Sequence, residues 1–462
     1  MYRAAEKDLQ YWYRRPSRKP LVVRGARQVG KSTLVRQFAA AQGLALWEIN
    51  LEQHPGLSSA FATMDASIMI REIALSLNRQ GVGQDLGILF LDEIQAIPQA
   101  LSALRYLHEQ RPDLAVIAAG SLLEFTLTDA SVSMPVGRVE YHFLGPMTFT
   151  EFLIARGETL LSQSMQRQLH PETFSAVAHE RLCGLLREYL LIGGMPQAVA
   201  AYCDNLDPVA ASRVHRSILT TYGDDFGKYT KGTDRERIRR IFEVLPTQLA
   251  QKVRLNRFHP DWRAANIRRC LELLIRAGVA SAVTHCDASG LPLSAQEDPT
   301  VYKLFHLDVG LVGNATGTAL LSMADFQSGR FINEGVLAEQ FVAQQLLCSL
   351  PPDVKPKLHY WQRGGSISNA EVDFVLPLGT EVLAVEVKSG SSGSLRSLHQ
   401  FMLKHQGKTA VRFDLNPPGI QQIETVVGGA STSQSVKYRL VNLPLYLATH
   451  EFLKDLPMEP GP

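Results

Sequence analysis

The sequence predicts an α/β fold that begins with a parallel sheet covered by helices. Short apolar runs that suit buried strands alternate with helical runs over the first ~165 residues. One apolar run, Leu21–Val23, leads through a glycine-containing loop directly into a helical run from Thr33 to Ala41. Two others, Ile88–Leu91 and Leu114–Ala119, are too short and too continuously apolar for amphipathic helices. Runs of this kind are typical of parallel strands that are buried on both faces.

The remaining elements of this first part follow from local patterns. Strands are predicted over Leu44–Leu51 and Tyr141–Leu144. A helix over Pro98–Gln110 has proline at its start, where the missing N–H costs nothing. Thr148 and Glu151 form a capping-box pattern, so a further helix is expected to begin there.

The middle of the chain is predicted to be helical and then to change character. Residues 166–232 have a helical pattern that Gly193–Pro196 interrupts. Residues 233–285 contain three amphipathic helical runs, followed by a strand-like segment at Val279–Thr284. The segment Asp287–Pro299 is rich in turn residues and is expected to be the tip of a hairpin. This succession is typical of a winged helix-turn-helix.

Composition limits the class of protein. At 462 residues the chain is too long for one hydrophobic core, and its net charge of +2 means that any affinity for nucleic acid must come from local patches. No apolar stretch approaches the ~20 residues of a membrane-spanning helix, and the N-terminus lacks the apolar centre of a signal peptide. The cysteines show no zinc-type spacing and suit buried thiols in a reducing compartment. They are Cys183, Cys203, Cys270, Cys286 and Cys348. We therefore expect a cytoplasmic protein without a membrane partner.

The loop after the first strand has the pattern of a phosphate-binding P-loop. Its glycines allow backbone N–H groups to approach phosphates, and the following helix N-terminus adds partial positive charge. Lys31 is expected to reach the β- and γ-phosphates of ATP, and the Ser32 hydroxyl to bind Mg²⁺. The predicted nucleotide-binding residues of this loop are Gly25, Ala26, Arg27, Gln28, Val29, Gly30, Lys31, Ser32 and Thr33.

Two acidic residues end the strand predicted at Ile88–Leu91. In P-loop enzymes, an acid in the position of Asp92 holds Mg²⁺, and a glutamate in the position of Glu93 can orient the attacking water. Glu93 therefore favours ATP hydrolysis over binding alone. Ser121 follows the neighbouring predicted strand and could sense the γ-phosphate or position water, although a serine after Gly120 could equally be a turn residue.

Taken together, these motifs resemble a prokaryotic AAA-type ATPase family in which a P-loop domain precedes a domain of unknown function. The resemblance extends over nearly the whole chain. Beyond the P-loop, its marks are Leu91–Gln95, Gly120–Ser121, Gly137–Val139, Leu144–Pro146, Gly193–Pro196, Leu307–Leu311, Glu371–Phe374 and Glu386–Gly390.

The resemblance implies an AAA+-like P-loop sheet followed by a helical lid, and it implies roles for individual residues. Ser121 would be the first sensor, and Arg138 would be an arginine finger that reaches a neighbouring subunit of a homo-oligomer. Arg138 could instead form a structural salt bridge. Pro196 would lie near the adenine at the start of the lid, although Met195 stands where an aromatic residue is frequent. Ser32 replaces the commoner threonine and keeps the hydroxyl.

The last part of the chain has the residue spacing of a PD-(D/E)xK nuclease centre. A helix is predicted from Asn333 to Leu347, with strands near 371–376 and 381–388. Residues two apart in a strand face the same side, so Glu386 and Lys388 point together, and Asp373 on the preceding strand can meet them.

These residues predict a Mg²⁺-dependent cleavage site on a restriction-endonuclease-like α/β domain. Asp373 and Glu386 would hold the metal, with Glu339 as a third acid, while Lys388 would assist the attacking water. The alternative is a degenerate nuclease fold that serves binding or assembly.

Basic residues dominate the segment from 235 to 276, where only four acids stand against them: Glu236, Glu243, Asp261 and Glu272. This excess suits contacts with the phosphates of double-stranded DNA. Arg263, Asn266 and Arg269 share one helical face and could enter a groove. A solvated surface, or one that docks onto the ATPase of the next subunit, is the alternative. The basic residues are Arg235, Arg237, Arg239, Arg240, Lys252, Arg254, Arg257, Arg263, Arg268, Arg269 and Arg276.

The sequence thus predicts four domains and one leading function. The domains are an ATPase domain over 1–165, a helical lid over 166–232, a winged-helix-like domain over 233–325 and a nuclease-like domain over 326–462. The leading hypothesis is an ATP-hydrolysing, DNA-associated oligomer with a nuclease-like C-terminal domain. The alternative is an ATP-dependent switch or scaffold that recruits protein partners and cuts nothing.

Overall fold

The computed structural model describes most of the chain. The described residues are 1–82, 87–121, 123, 137–169, 173–229, 233–317, 334–364, 370–390, 394–427 and 433–456. They form two compact units, each with its own sheet. The first unit comprises Met1–Pro146, Leu273–Val279 and Pro351–Lys355, and the second comprises Met147–Glu272, Ala280–Leu350 and Pro356–Pro462. The predicted four-domain division stays a prediction, and its boundary at 325/326 lies outside the described residues.

Strands and helices are numbered in chain order. The strands are β1 (Leu21–Arg24), β2 (Ala45–Asn50), β3 (Gly87–Asp92), β4 (Ala115–Gly120), β5 (Glu140–Phe143), β6 (Ala280–Cys286), β7 (Glu297–His306), β8 (Leu358–Gln362), β9 (Glu371–Leu378), β10 (Glu381–Val387), β11 (Thr409–Asp414), β12 (Gly419–Val427) and β13 (Gln434–Pro444). The helices are α1 (Ala5–Arg14), α2 (Lys31–Ala41), α3 (Ser58–Ala62), α4 (Ala66–Ser76), α5 (Pro98–Gln110), α6 (Phe149–Ala155), α7 (Thr159–Ser164), α8 (Ala176–Ile192), α9 (Pro196–Asn205), α10 (Pro208–Tyr229), α11 (Thr233–Val244), α12 (Ala264–Arg276), α13 (Val309–Ala315), α14 (Glu334–Cys348), α15 (Arg396–His405) and α16 (His450–Lys454).

The sheet of the first unit confirms the predicted parallel arrangement. Its five strands have the order β2-β3-β4-β1-β5, and every neighbouring pair is parallel. All residues of β3 and β4 are buried, which explains their continuous apolar sequences. Helix α2 packs against β2, β3 and β4, and α5 packs against β4. This arrangement places the carboxyl ends of β1, β3 and β4 at one edge of the sheet.

In the second unit, helix α6 begins with the predicted capping box. The Thr148 hydroxyl accepts a hydrogen bond from the Glu151 N–H, and the Glu151 carboxylate accepts one from the Thr148 N–H. Helix α8 then ends at Gly193, and Pro196 is the first residue of α9. The interruption predicted at Gly193–Pro196 is therefore confirmed as the turn between two helices.

A buried carboxylate fixes that turn. Asp308 is fully buried, and its Oδ2 accepts hydrogen bonds from the Gly194 N–H at 2.6 Å and from Gln344 Nε2 at 2.8 Å. Burial raises the pKa of Asp308 to about 6, although these hydrogen bonds oppose the shift. Gly193 has a φ of +69°, and a Cβ there would lie 2.1 Å from Asp308 Oδ1. The segments Gly193–Pro196 and Leu307–Leu311, both singled out in the sequence, therefore contact each other in the buried interior.

One prediction for the middle of the chain is wrong. Residues 233–285 contain two α-helices, α11 and α12, rather than three helical runs. Between them lie short 3₁₀ turns at Leu245–Thr247 and Leu255–Arg257. The stretch between these turns pairs with β7 instead of forming a helix: the Ala250 and Val253 N–H groups donate hydrogen bonds to the Leu304 and Tyr302 carbonyl oxygens.

The sheet of the second unit is mixed and has eight strands in the order β12-β13-β11-β10-β9-β8-β6-β7. The strands predicted near 371–376 and 381–388 are confirmed as the antiparallel pair β9 and β10, joined at Gly379, where φ is +59°. The predicted hairpin is the antiparallel pair β6 and β7, which joins this sheet through a parallel pairing of β6 with β8. Its connection is shorter than predicted, because β7 already begins at Glu297.

Helix α14 matches the predicted helix to within one residue at its C-terminus, and Asn333, its predicted first residue, lies outside the described residues. None of the helices in the described part of the chain combines the length and apolar character needed to cross a membrane. The five cysteines all carry free thiols.

We predict that Gly193→Ala destabilises the protein by more than about 2 kcal/mol, because the new Cβ meets the buried Asp308 carboxylate at a positive φ. The thermal unfolding midpoint measures the effect. Gly184→Ala in helix α8 is the matched control, since a Cβ there meets nothing within 4 Å, and it should stabilise by at most about 1 kcal/mol. Equal midpoints for the two variants would contradict the prediction.

Candidate functional site

The P-loop runs from the end of β1 to the start of α2, as the sequence predicts. Its glycines are required by the backbone: Gly25 has a φ of +154° and Gly30 a φ of +93°. A Cβ at Gly25 would lie only 2.2 Å from the Leu144 carbonyl oxygen, so no other residue fits. Gln28 also has a positive φ, of +63°, and strain of this kind persists where the surroundings fix the loop.

Lys31 lies inside the curve of this loop. Its side chain is buried, and its Nζ donates hydrogen bonds to the carbonyl oxygens of Gly25 at 3.0 Å and Ala26 at 2.8 Å. Burial lowers the pKa of Lys31 to about 8, against the charges of Glu93 and Asp92, which raise it. The loop therefore holds an ammonium group at its centre, beside the N-terminus of α2.

Ser32 and Asp92 meet beside the lysine. The Ser32 hydroxyl donates a hydrogen bond to Asp92 Oδ2 at 2.7 Å, although the two residues are 60 positions apart. Asp92 ends β3 and is buried, which raises the pKa of its carboxyl group. Hydroxyl and carboxylate oxygens are ligands that Mg²⁺ prefers, so this pair suits a magnesium ion that is shared with bound phosphates.

Glu93 is held by two side chains. It follows β3 with a left-handed backbone (φ +50°), and its Oε2 accepts hydrogen bonds from Gln95 Nε2 at 2.5 Å and from the Ser121 hydroxyl at 3.2 Å. Arg27 Nε in turn donates to the Ser121 oxygen at 3.3 Å. Gly120 leaves room for Gln95, since a Cβ at residue 120 would lie 2.5 Å from Gln95 Oε1. The structure thus brings Glu93, Ser121 and the P-loop residue Arg27 together.

The two remaining predicted residues of the ATPase site are Arg138 and Pro196. Arg138 forms an ion pair with Glu109 at 3.0 Å, and its side chain is about half exposed. This contact is the structural salt bridge that the sequence left open as an alternative. Pro196, in the second unit, begins α9. Its predicted place near the adenine stays a prediction.

Two residues that support the P-loop site escape sequence reasoning. Arg3 donates hydrogen bonds from its guanidinium group to the carbonyl oxygens of Val29 and Gly145, each at 2.8 Å. It therefore ties the loop to the chain after β5 from a position far away in the sequence. Gln95 orients Glu93 and stands only two residues after it, so its position in Asp-Glu-x-Gln was the one available clue.

The predicted nuclease-like residues also converge. Asp373 on β9 accepts a hydrogen bond from the Val387 N–H at 2.8 Å, and Lys388 Nζ donates to Glu386 Oε1 at 2.5 Å. Burial raises the pKa of Glu386 to about 8, and the neighbouring Asp373 charge adds to the shift. Glu386 Oε2 is buried and has no hydrogen-bond partner among the described residues.

A second lysine, Lys303 on β7, lies in the same cluster and was not predicted. It is 1% exposed, and its Nζ forms ion pairs with Glu371, with Glu339 at 3.4 Å and with Asp373 at 3.6 Å. Burial alone would lower the pKa of Lys303, but these carboxylates outweigh it and raise the pKa. Burial raises the pKa of Glu339 to about 8. In the described part of the chain, no three His, Cys, Asp or Glu side chains are grouped so that they could hold a metal ion.

An arginine-rich pocket lies on the segment that the sequence predicts to contact DNA. Its volume is about 800 Å³. The rings of His259 and Trp262 stack with centroids 4.1 Å apart, and the Arg237 guanidinium lies 6.0 Å from the Trp262 ring centroid. The pocket is lined by Arg235, Glu236, Arg237, Arg239, Arg240, Glu243, His259 and Trp262.

Acidic neighbours offset part of this positive charge. Glu243 pairs with Arg240 at 3.2 Å and with Arg239 at 3.8 Å, while Asp234 pairs with Arg237 at 3.0 Å and with Arg269 at 3.4 Å. The arginines at 239, 240 and 269 nevertheless keep more than half of their side-chain surface exposed, as their exposed fractions of 64%, 59% and 69% indicate. Arg263, just before α12, is also exposed.

Comparison with known proteins agrees with the geometry of the first unit. Residues 17–153 match the family model described as AAA domain. Residues 184–322 and 334–427 match two domains of unknown function, DUF8612 and DUF4143. The parallel sheet, the loop and the first of these matches define an AAA-type P-loop domain, the fold class of nucleotide-binding ATPases. The matches to the second unit assign it no winged helix and no nuclease.

The solved structures that match this chain have low overall similarity to it. DnaA from Aquifex aeolicus bound to AMPPCP is 13% identical, with a TM-score of 0.27, and the match covers 60% of this chain and 89% of that one. A point variant of RuvB from Thermotoga maritima is 16% identical, with a TM-score of 0.28 and coverage of 60% and 88%. RuvB from Thermotoga maritima, titled as a Holliday junction branch migration motor, is 16% identical, with a TM-score of 0.25 and coverage of 60% and 84%. At such TM-scores the likeness supports no further conclusion. No curated protein matches the sequence.

Proposed function

We propose that this protein binds ATP with Mg²⁺ at its P-loop and hydrolyses it. The observation that carries the proposal is the hydrogen bond of 2.7 Å between Ser32 and Asp92. This hydrogen bond joins the phosphate-binding loop to the acidic end of β3. Glu93 and the buried Lys31 lie at the same place. Together these groups supply what phosphoryl transfer to water requires, namely positioning and compensation of charge.

Each residue has a defined task in this proposal. The loop N–H groups and Lys31 bind the β- and γ-phosphates. Ser32 and Asp92 hold Mg²⁺, which neutralises phosphate charge when it is bound. Glu93 orients the attacking water, and its hydrogen bonds from Gln95 and Ser121 keep its carboxylate in one orientation.

Assembly and nucleotide contacts from outside the P-loop belong to the same proposal. Arg138 acts as an arginine finger toward a neighbouring subunit of a homo-oligomer. It must first leave Glu109, and breaking this ion pair costs little because both side chains are partly exposed to solvent. Pro196 contacts the adenine at the start of a helical lid. A cytoplasmic location fits the five free thiols.

DNA association is the second part of the proposal. The exposed arginines around the pocket suit phosphate contacts, and the stacked His259 and Trp262 offer an aromatic surface for a base. In the winged-helix-like arrangement that we propose for α11, α12 and the β6–β7 hairpin, Arg263 and Arg269 contact a groove of the DNA.

For the C-terminal domain, one observation favours the alternative to cleavage. The convergence of Asp373, Glu386 and Lys388 supports a nuclease-like centre. However, Lys303 occupies the acidic cluster where Mg²⁺ would be held. We therefore propose a nuclease-like domain that serves binding or assembly, within an ATP-dependent protein that acts on DNA or recruits protein partners.

We predict that Lys31→Ala weakens ATP binding by at least about tenfold, because it removes the charge that faces the phosphates. Glu93→Gln should keep ATP affinity and lower the hydrolysis rate by about 100-fold or more. Calorimetric titration with ATP and a phosphate-release assay measure the two effects. Arg71→Ala, on the exposed side of α4 beside Glu72, is the charge-matched control and should change neither quantity. An unchanged turnover in Glu93→Gln would exclude its role in orienting the attacking water.

We also predict that Gln95→Leu lowers kcat by roughly 10-fold to 100-fold and leaves ATP affinity nearly unchanged, because Glu93 loses one of its two orienting hydrogen bonds. Ser121→Ala removes the other bond and should have a similar effect. Steady-state ATPase kinetics separate kcat from KM. A Gln95→Leu enzyme with normal kcat would show that Glu93 needs no such support.

Neutralising the arginines at positions 263 and 269 should weaken binding to double-stranded DNA. It should also make binding less dependent on salt: the slope of log K against log salt concentration should fall by about one unit for each lost phosphate contact. Trp262→Ala should weaken binding to single strands more than to duplexes, because only unpaired bases can stack on it. Fluorescence anisotropy at several salt concentrations measures both effects. Arg71→Gln, an exposed arginine of α4 paired with Glu72, is the control. Binding that is unaffected by Arg263→Gln and Arg269→Gln would exclude this surface.

A further inference from the structure

A buried lysine stands among the acids of the nuclease-like centre. Lys303 comes from β7, whereas its carboxylate partners come from α14 and β9: Glu339 from the helix, Glu371 and Asp373 from the strand. The Lys303 side chain is 1% exposed, and its Nζ lies 5.3 Å from the centre of the Tyr360 ring. A lysine this deeply buried stays charged only when acids compensate its charge, and here three of them surround its ammonium group.

Each acid of this centre already directs an oxygen at a lysine. Asp373 Oδ2 accepts the Val387 N–H, and its Oδ1 faces the Lys303 ammonium at 3.6 Å. Glu339 and Glu371 also direct oxygens at that ammonium. Glu386 Oε1 accepts from Lys388, and Glu386 Oε2 has no hydrogen-bond partner among the described residues. Mg²⁺, which demands near-octahedral geometry, would therefore have to displace a lysine from these carboxylates.

The charges show which cations these acids already have. The cluster contains four carboxyl groups, those of Glu339, Glu371, Asp373 and Glu386, and the two ammonium groups of Lys303 and Lys388. The Lys303 ammonium forms ion pairs with three of the four acids, and Lys388 pairs with Glu386. A divalent ion at Asp373 would have to displace the Lys303 ammonium, because two cations this close in a poorly solvated place repel strongly.

Building on the nuclease-like interpretation proposed above, we infer that the Lys303 ammonium serves as the permanent cation of this centre and takes the place of a divalent metal. It joins β7, α14 and β9 through ion pairs and so fixes the hairpin strand to the rest of the eight-stranded sheet. The centre is then a structural one, without metal-dependent cleavage of DNA.

Replacing the lysine tests this inference, with Mn²⁺ as the probe and the full-length protein free of nucleotide. Lys303→Met keeps the length of the side chain and removes its charge. The variant should have a lower unfolding midpoint than the wild type, and Mn²⁺ should raise that midpoint. It should also bind Mn²⁺ at least about tenfold more tightly than the wild type in calorimetric titrations, because the carboxylates regain a cation. Lys357→Met, an exposed lysine paired with Glu297, should show neither effect.

A second substitution assigns the bound metal to this cluster. Adding Asp373→Asn to Lys303→Met should abolish the gain in Mn²⁺ binding. Two results would overturn the inference: wild-type protein that binds Mn²⁺ at a site absent from Asp373→Asn, or a folded Lys303→Met protein that gains no Mn²⁺ binding. If Lys303→Met does not fold, the comparison of wild type with Asp373→Asn decides alone. ATP hydrolysis is measured on the same samples, so a failure here leaves the proposed ATPase function separately tested.

Discussion

The contact between Ser32 and Asp92 is the constraint on which the first unit depends. It can form only because β1 and β3 are parallel strands of one sheet and end at the same edge. The loop that carries Ser32 must also turn sharply, and Gly25 makes this possible where any side chain would strike the Leu144 carbonyl. The ends of the strands therefore position the candidate ligands directly. A change that moved one strand end would separate the groups proposed to bind phosphate and metal.

Much of this unit could be predicted from sequence because its determinants are local. Buried parallel strands are continuously apolar, and the P-loop pattern specifies a strand, a loop and a helix in order. Arg3 and Gln95 could not be predicted in the same way. Their roles depend on which backbone carbonyls and carboxylates they reach after folding. The sequence carries no such information for Arg3, and for Gln95 its one clue is the position two residues after Glu93.

In the second unit, the sequence predicts part of the acidic cluster but not the residue that decides its chemistry. The pair β9 and β10 and the meeting of Asp373 with Glu386 follow from the two-residue period of strands. Lys303 could not be foreseen, because it arrives from a hairpin that the sequence assigned to a winged helix, and only the eight-stranded sheet brings β7 to α14 and β9. One buried lysine changes the chemical interpretation of the whole cluster. The prediction of a third helical run was wrong because residues 250–253 hydrogen-bond to the backbone of β7, a pairing that no local pattern reveals.

The central claim is that a nucleoside triphosphate binds at the P-loop together with a metal ion held by Ser32 and Asp92. Titration of wild type and Asp92→Asn with a non-hydrolysable ATP analogue, with and without Mg²⁺, tests it most directly. We expect Mg²⁺ to strengthen binding to the wild type and Asp92→Asn to lose most of this gain. Binding that is equally tight in both proteins, with or without Mg²⁺, would contradict it.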